Sequence, residues 1–189
     1  MASLTVAAVV LAAGGGSRFA GPDHKLLTPV GGRPLVAGAV EAALAARLDE
    51  TIVVAGAVDL SAVLPEGVTV VVNHDWRSGQ ASSLRCAVAV AERAGHDAVV
   101  VGLGDQPGVP PEAWSAVARE MSAPIAVASF AGRRRPPVRL SSSVWPLLPA
   151  SGDEGARVLM ATRPDLVVAV ACPGDPDDVD TLEDLRRWS

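Results

Sequence analysis

The chain has 189 residues, a formal net charge of −5 and an apolar fraction near one half that is mostly Ala, Val and Leu. This length is usual for one domain, so we expect a single domain over residues 1–189. The negative charge and the scarcity of aromatic residues, with no Tyr, argue against a nucleic-acid-binding protein. No apolar run is long enough to span a bilayer and no charged, cleavable leader is evident, so we expect no membrane association and a cytoplasmic location.

Val-rich runs alternate with segments of helical pattern along the chain. Strands are predicted over Thr5–Leu11, Thr51–Val54, Val68–Val72, Ala98–Gly102, Ile125–Ala128 and Leu166–Val170. Helices are predicted over Pro34–Arg47, Ser82–Ala94, Pro111–Met121, Ser141–Leu148, Asp153–Ala161 and Thr181–Trp188. The strands are apolar on both faces, as in a parallel sheet covered on both sides. The pattern predicts an α/β, Rossmann-like three-layer sandwich whose ligands bind at the carboxyl ends of the strands.

The first predicted strand ends in Gly14-Gly15-Gly16, followed by Ser17, Arg18 and, after a Gly-Pro break, Lys25. Glycines let backbone N–H groups approach a ligand closely, and the two cations suit a polyanion such as a triphosphate. The phosphate-loop motif of ATPases is excluded, because Pro22 and Asp23 stand where it requires Lys and Ser or Thr. The dinucleotide fingerprint is excluded as well, since its third glycine would fall at Phe19. The alternative to a nucleotide site is a tight surface turn.

The third predicted strand leads into a polar loop from Asn73 to Leu84 that contains Gly79, Ser82 and Ser83. Its amide, hydroxyl and backbone donors could bind a base or a ribose. A capped helix start explains the same residues without a ligand.

The fourth predicted strand leads into Gly104-Asp105-Gln106-Pro107. A lone carboxylate at the mouth of a buried strand is a candidate ligand for a hard cation such as Mg²⁺, and an Asx-type turn is the alternative. An acidic stretch that includes Asp178 and Asp180 follows the sixth predicted strand. One of its carboxylates could complete a metal pair with Asp105.

These residues, taken in order, resemble the MobA-like nucleotidyltransferases, and among them most the molybdenum cofactor cytidylyltransferases (MocA-like). The resemblance runs essentially from end to end. It rests on the segments Leu11-Ala12-Ala13-Gly14 with Arg18 and Lys25, Asn73 with Trp76, Gly79 and Ser82-Ser83-Leu84, Gly104-Asp105-Gln106-Pro107, Ser151–Arg157, and Asp178–Leu185.

The resemblance implies a nucleotide-diphospho-sugar transferase-like fold and transfer of CMP from CTP to molybdopterin-type molybdenum cofactor, with release of pyrophosphate. It implies catalytic roles for Arg18, Lys25 and Asp105, and Mg²⁺ bound by Asp105 and Asp180. It implies nucleotide binding by the residues Leu11, Ala12, Ala13, Gly14, Gly15, Gly16, Ser17, Asn73, Gly79, Ser82 and Ser83. The acceptor side would include Arg134, Arg135, Gly152, Asp153 and Arg157. A client molybdoenzyme or its maturation factor would be a further partner.

Two departures from the family pattern leave alternatives open. Pro22-Asp23-His24 lengthens the segment between Arg18 and Lys25. It either reaches the triphosphate or forms a lid in solvent. Arg134-Arg135-Pro136-Pro137-Val138 replaces the family's Arg-Gly-His-Pro, so the acceptor is open to question. GTP or a different phosphorylated acceptor (a phosphosugar or phospholactate) is an alternative, as is a non-catalytic nucleotide-binding or chaperone-like subunit.

Overall fold

The computed structural model describes residues 4–17, 19–21 and 23–188. Its strands are β1 (Val6–Ala12), β2 (Pro29–Val30), β3 (Arg33–Pro34), β4 (Glu50–Ala55), β5 (Thr69–Val72), β6 (Ala98–Leu103), β7 (Ile125–Phe130), β8 (Arg133–Ser141) and β9 (Val167–Ala171). Its α-helices are α1 (Leu35–Ala45), α2 (Gln80–Ala94), α3 (Pro111–Arg119), α4 (Ala156–Thr162) and α5 (Leu182–Arg186). Short 3₁₀ helices lie at Lys25–Leu27, Trp76–Ser78, Ser142–Leu147 and Pro164–Leu166.

Within these described ranges, seven strands form one sheet in the order β5-β4-β1-β6-β8-β7-β9. The pairs β5-β4, β4-β1, β1-β6 and β7-β9 are parallel, whereas β8 runs antiparallel to both β6 and β7. The first residues of β8 therefore lie at the edge of the sheet where the parallel strands end. That edge is where an open α/β sheet binds its ligands.

Helices cover both faces of the sheet. Because side chains alternate along a strand, β1 sends Ala7, Val9 and Leu11 to one face and Ala8, Val10 and Ala12 to the other. The first set packs with buried residues of α2 and α4, and the second with buried residues of α1 and α3. This arrangement confirms the predicted mostly parallel, three-layer α/β sandwich.

Several predicted elements differ from the structure. The segment Ser141–Leu148 was predicted to be an α-helix, but Pro146 lies inside a 3₁₀ helix over Ser142–Leu147. The segment Arg133–Arg135 lies outside every predicted strand and helix, but it begins β8. Pro136 and Pro137 have no paired partner on β7, because the register skips from Val127↔Val138 to Ala128↔Arg135 at an irregularity. A bulge of this kind accommodates prolines, which lack the N–H that a regular ladder uses.

The helices predicted to begin at Pro34, Pro111 and Thr181 start within one residue of these positions, since Pro34 and Thr181 are the N-caps of α1 and α5. Pro111 stands in the first turn of α3. Thr181 caps α5, and its side chain and that of Asp184 form a reciprocal capping box. No helix in the described part of the chain combines the length and the apolar character that crossing a membrane requires.

Candidate active site

A cleft of about 1270 Å³ opens at the ligand-binding edge of the sheet. The strands β6 and β8 pair only as far as Val101 and Val138. Beyond that pair the end of β6 and the start of β8 border the cleft instead of bonding to each other. The volume exceeds what one drug-sized ligand needs, so the cleft has room for two substrates side by side.

One end of the cleft is the loop Gly14–Ser17 that follows β1. Its position is fixed by a hydrogen bond from the backbone N–H of Gly104 to the carbonyl of Leu11, at 2.9 Å. The Trp76 ring lies against Gly15, where an added Cβ would come within 2.9 Å of two ring carbons. The guanidinium of Arg77 covers the Trp76 ring at 4.4 Å from its centroid. Trp76 therefore backs the glycine loop and requires a residue without a side chain at position 15.

His24 also holds this loop in place. The backbone N–H of Leu26 donates to His24 Nδ1 at 3.3 Å, so the proton of the neutral ring is on Nε2. Nε2 then donates to the carbonyl of Gly14 at 3.1 Å. The ring thus caps the short helix Lys25–Leu27 and ties it to the glycine loop. Of the two alternatives for the inserted segment, a lid in solvent does not describe His24, which is half-buried and bonded to the loop.

This pairing predicts a loss of stability in mild acid. Burial lowers the pKa of His24, outweighing the opposing hydrogen bond to Gly14, and the positive charge of Lys25 lowers it further. A histidine whose pKa is lower in the folded state stabilises the fold above its unfolded pKa of about 6.5, and this contribution is lost as the pH falls through the folded value. The free energy of unfolding, measured by urea denaturation between about pH 7.5 and 5, should decrease more for the wild type than for His24→Asn, which keeps a capping acceptor without titrating. A constant difference between the two proteins across this range would contradict the assignment.

Lys25 joins the two candidate metal ligands. Its Nζ donates to Asp105 Oδ2 at 2.6 Å and to Asp180 Oδ1 at 3.1 Å. The Lys25 side chain is 11% exposed, against 21% for Asp105 and 32% for Asp180. Burial alone would lower the pKa of Lys25, but the charges and hydrogen bonds of the two aspartates outweigh it and raise the pKa above its usual value. Lys25 is therefore a fully charged ammonium at neutral pH.

Asp180 lies beside Asp105 because hydrogen bonds hold the segment after β9 against the loop after β6. The backbone N–H of Val179 donates to the carbonyl of Asp105 at 3.0 Å, and the Val179 side chain is fully buried. Gln106 Nε2 donates to the carbonyl of Pro176 at 2.8 Å. On the other side, the backbone N–H of Asp180 donates to Asp184 Oδ2 at 3.1 Å, which connects it to the cap of α5.

A third carboxylate, Asp178, stands at the rim near this pair. Partial burial, and then the negative charge of Asp105, raise the pKa of Asp178. No group of three or more His, Cys, Asp or Glu side chains suited to hold a metal occurs among residues 4–17, 19–21 and 23–188. Two convergent carboxylates are nevertheless what Mg²⁺ takes from a protein when substrate phosphates supply the other oxygens. Asp105 and Asp180 fit this requirement, since an oxygen of each lies within bonding distance of one nitrogen.

The start of α2 is tied to the loop that precedes α4. Gly152 donates its N–H to the carbonyl of Ser78 and accepts from the N–H of Ala81, each at 2.9 Å. Gly79, with φ of +106°, lies so close that an added Cβ would come within 2.4 Å of the Gly152 backbone. The two sequence segments that contain Gly79 and Gly152 are therefore one structural unit at the cleft.

Asn73 stabilises this unit from behind the cleft wall. Its Nδ2 donates to the Oγ atoms of Ser82 and Ser83 at 2.8 and 2.9 Å, and its Oδ1 accepts from the N–H of Asp75. Only 6% of Asn73 is exposed. Its side chain therefore holds the first turn of α2 through two serine hydroxyls, and Ser83 also lines the cleft.

Where β8 and the loop before α4 border the cleft, its lining carries three arginines and the carboxylates Asp153 and Glu154 above an apolar floor. Arg134 and Arg135 come from the start of β8, and Arg157 from the first turn of α4. The floor consists of the apolar residues Leu84, Val101, Leu103, Val127, Val138 and Met160. This combination suits an acceptor with an apolar or planar body and an anionic group.

The structure brings most of the predicted site residues to one cleft. Its lining includes Leu11, Ala13, Gly14, Gly15, Gly16, Ser17, Lys25, Gly79, Ser83, Asp105, Asp180, Arg134, Arg135, Asp153 and Arg157. Ala12 packs in the core against α1, and Asn73, Ser82 and Gly152 hold the wall by the contacts described above. Arg18 lies outside the described residues.

Three features of this site could not be recognised from the residue pattern alone. The apolar floor could not be separated from the core, because both consist of Val and Leu. Trp76 could be singled out only through the resemblance to the family. His24 could be noted only as a polar residue beside Lys25, because its contact with Gly14 depends on how the loop folds.

The sequence profile of the MobA-like NTP transferase domain matches residues 8–167. Nicotine blue oxidoreductase of Paenarthrobacter nicotinovorans is 34% identical, over 96% of this chain and 95% of that protein. Purine catabolism protein PucB of Bacillus subtilis (strain 168) is 31% identical, over 93% of this chain and 92% of its own.

The solved structures agree with this relationship. Rv0371c from Mycobacterium tuberculosis H37Rv superposes with a TM-score of 0.86 at 31% identity, covering 100% of this chain and 98% of that one. A structure of Rv0371c in complex with manganese gives 0.82 at 29% identity, covering 97% of both chains. The nucleotidyl transferase Mth528 from Methanothermobacter gives 0.80 at 25% identity, covering 97% and 95%. With a glycine loop, a lysine and two aspartates at the carboxyl edge of the sheet, the chain belongs to the MobA-like NTP transferase family of nucleotidyltransferases.

Proposed function

We propose that the chain transfers CMP from CTP to molybdopterin-type molybdenum cofactor and releases pyrophosphate. The observation that carries this proposal is that one cleft contains a glycine loop, the Lys25–Asp105–Asp180 centre, and an apolar floor bordered by arginines and two carboxylates. The NTP occupies the first part and the acceptor the last. The choice of CTP and of the pterin rests on the resemblance carried by Leu11-Ala12-Ala13-Gly14 and the later motifs.

The residues of this chain would act mainly by binding and orienting. The backbone N–H groups of Gly14–Ser17 and the Lys25 ammonium bind the triphosphate. Arg134, Arg135 and Arg157 hold the acceptor phosphate, one of whose oxygens attacks the α-phosphorus in line as pyrophosphate leaves. No nucleophilic side chain is needed, since such transfers depend on positioning and charge stabilisation. Asp105 and Asp180 would hold Mg²⁺, which when bound supplies positive charge to the phosphates.

Substitution of Gly14 tests whether the nucleotide approaches the loop. An added Cβ at Gly14 meets no protein atom within 4 Å, so Gly14→Ala should change the free energy of unfolding by less than about 0.5 kcal/mol. If a triphosphate lies against this backbone, the same methyl group should weaken CTP binding by about tenfold or more. Isothermal titration calorimetry of CTP with wild type and Gly14→Ala measures this. Equal affinities of the two proteins for CTP would show that the triphosphate does not lie against Gly14.

Substrate choice is tested with the four NTPs in the presence of Mg²⁺. CTP should raise the melting temperature most at equal concentration, because the tightest ligand stabilises most. A larger rise in melting temperature with GTP would favour the alternative that the chain uses GTP. Product identification by mass spectrometry then distinguishes the pterin from a phosphosugar or phospholactate acceptor.

A second function is suggested by one relative, which is named as an oxidoreductase. The sequence after β1 lacks the dinucleotide fingerprint, because Phe19 occupies the place of the third glycine. This argues against a nicotinamide-dependent reductase. Oxidation of NADH or NADPH in the presence of a dye acceptor, measured in the same preparation, would support the second function. We expect none above the rate without protein.

A further inference from the structure

Lys25 is the only lysine among the 16 basic residues of the chain, and the other 15 are arginines. Its Nζ lies between two carboxylates, at 2.6 Å from Asp105 Oδ2 and 3.1 Å from Asp180 Oδ1. These are the same two side chains that fit a divalent cation. One compact ammonium therefore occupies the point on which the oxygens of both carboxylates converge.

The type of cation matters at this point. A lysine ammonium is a compact charge on a flexible stem, whereas an arginine guanidinium is a planar fork that bonds carboxylates in pairs. An ammonium can leave two carboxylates by rotating its stem. The Lys25 backbone, by contrast, is fixed, because His24 and the short helix Lys25–Leu27 tie it to the glycine loop. Lys25 thus combines a fixed backbone with a charged group that can move.

We propose that Lys25 is an exchangeable counter-ion of the Asp105–Asp180 pair, competing with a divalent cation for the same carboxylate oxygens. When the cation binds, the ammonium is released from the aspartates and becomes available to the phosphates held by the adjacent glycine loop. This inference rests on the proposed nucleotide-transfer function and adds a coupling between the two ligands. Cation affinity is low while Lys25 holds the pair, and a triphosphate that attracts Lys25 raises it. The coupling is reciprocal, as linkage requires.

The first test measures Mn²⁺ binding to nucleotide-free protein, by calorimetry or by electron paramagnetic resonance of free Mn²⁺. Removal of the competing charge in Lys25→Met should tighten Mn²⁺ binding by about tenfold or more. The matched control is Arg133→Met, which removes one positive charge that pairs with Asp177 rather than with Asp105 or Asp180. It should change Mn²⁺ affinity by less than about threefold. Binding that is equal or weaker in Lys25→Met, or equally tightened in both variants, would overturn the proposal.

The second test uses the unmodified wild type, so it does not depend on how Lys25→Met folds. Because the chain has a single lysine, acetylation by an amine-specific reagent at that residue can be followed by mass spectrometry, with the α-amine as an internal reference. Release of Lys25 from its two hydrogen bonds should make it react several-fold faster in saturating Mg²⁺ without nucleotide. An unchanged or slower rate relative to the α-amine would overturn the proposal.

Both tests use the metal alone, so they separate this inference from the proposed reaction. Competition without any nucleotide transfer would support the counter-ion role and contradict the proposed reaction. Transfer of CMP without competition would contradict the counter-ion role alone.

Discussion

Asp105→Asn should reduce pyrophosphate release from the NTP by about a hundred- to a thousand-fold, the range expected when a group that stabilises transition-state charge is removed. The amide cannot neutralise Lys25, to which Asp105 Oδ2 bonds at 2.6 Å, and it is a poor ligand for Mg²⁺. Asp180→Asn should cost less, because Asp180 is more exposed and lies further from Lys25. Steady-state release of pyrophosphate at saturating Mg²⁺ measures both.

The matched control for this prediction is Asp177→Asn, which removes a carboxylate from the same acidic stretch. Asp177 pairs with Arg133 at 3.1 Å and with Arg187 at 3.4 Å, rather than with Lys25. It should keep activity within about threefold, since exposed ion pairs contribute little. More than a tenth of wild-type activity in Asp105→Asn, with the requirement for a divalent cation intact, would show that Asp105 does not hold the metal.

Gly79→Ala should lower the free energy of unfolding by about 3 kcal/mol, adding overpacking to backbone strain. The new Cβ would lie 2.4 Å from the Gly152 backbone and 2.9 Å from Asp153 Oδ1, and φ at this position is +106°. The loop before α4 would have to move away from the start of α2. Urea denaturation measures the loss of stability, and calorimetry with CTP should show weaker binding as well.

Gly95→Ala is the control that separates backbone strain at positive φ from steric overlap of the added Cβ. Gly95 ends α2 with φ of +83°, but an added Cβ there meets no atom within 4 Å. It should cost only about 1 kcal/mol, the lower end of the range for a side chain in the left-handed region. Equal losses in the two variants would mean that the close contact between Gly79 and Gly152 does not constrain the cleft.

The parts of the site that lie directly after Val-rich strands could be predicted from the sequence. Gly14–Ser17 follows β1 and Asp105 follows β6, and parallel strands end at one edge of a sheet. Which carboxylate of the acidic stretch meets Asp105 could not be derived from spacing, because it depends on the bond from Val179 N–H to the Asp105 carbonyl. That contact joins residues 74 positions apart along the chain.

The strand β8 shows why local pattern failed on the acceptor side. Three arginines followed by two prolines have low strand propensity and read as a loop. Pairing with β7, with the prolines placed in the bulge, overrides that local preference. The antiparallel direction of β8, which carries Arg134 and Arg135 to the cleft, is a property of the whole sheet and of no single segment.

The proposed reaction joins a cytidine nucleotide to a phosphorylated pterin within one cleft. The most direct measurement is incubation of the purified chain with CTP, Mg²⁺ and molybdopterin-type molybdenum cofactor, with pyrophosphate and the nucleotide-linked product quantified together. One pyrophosphate should be released for each CMP transferred, and none should be released when the acceptor is left out. Release from none of the four NTPs with the acceptor present would contradict the proposed reaction.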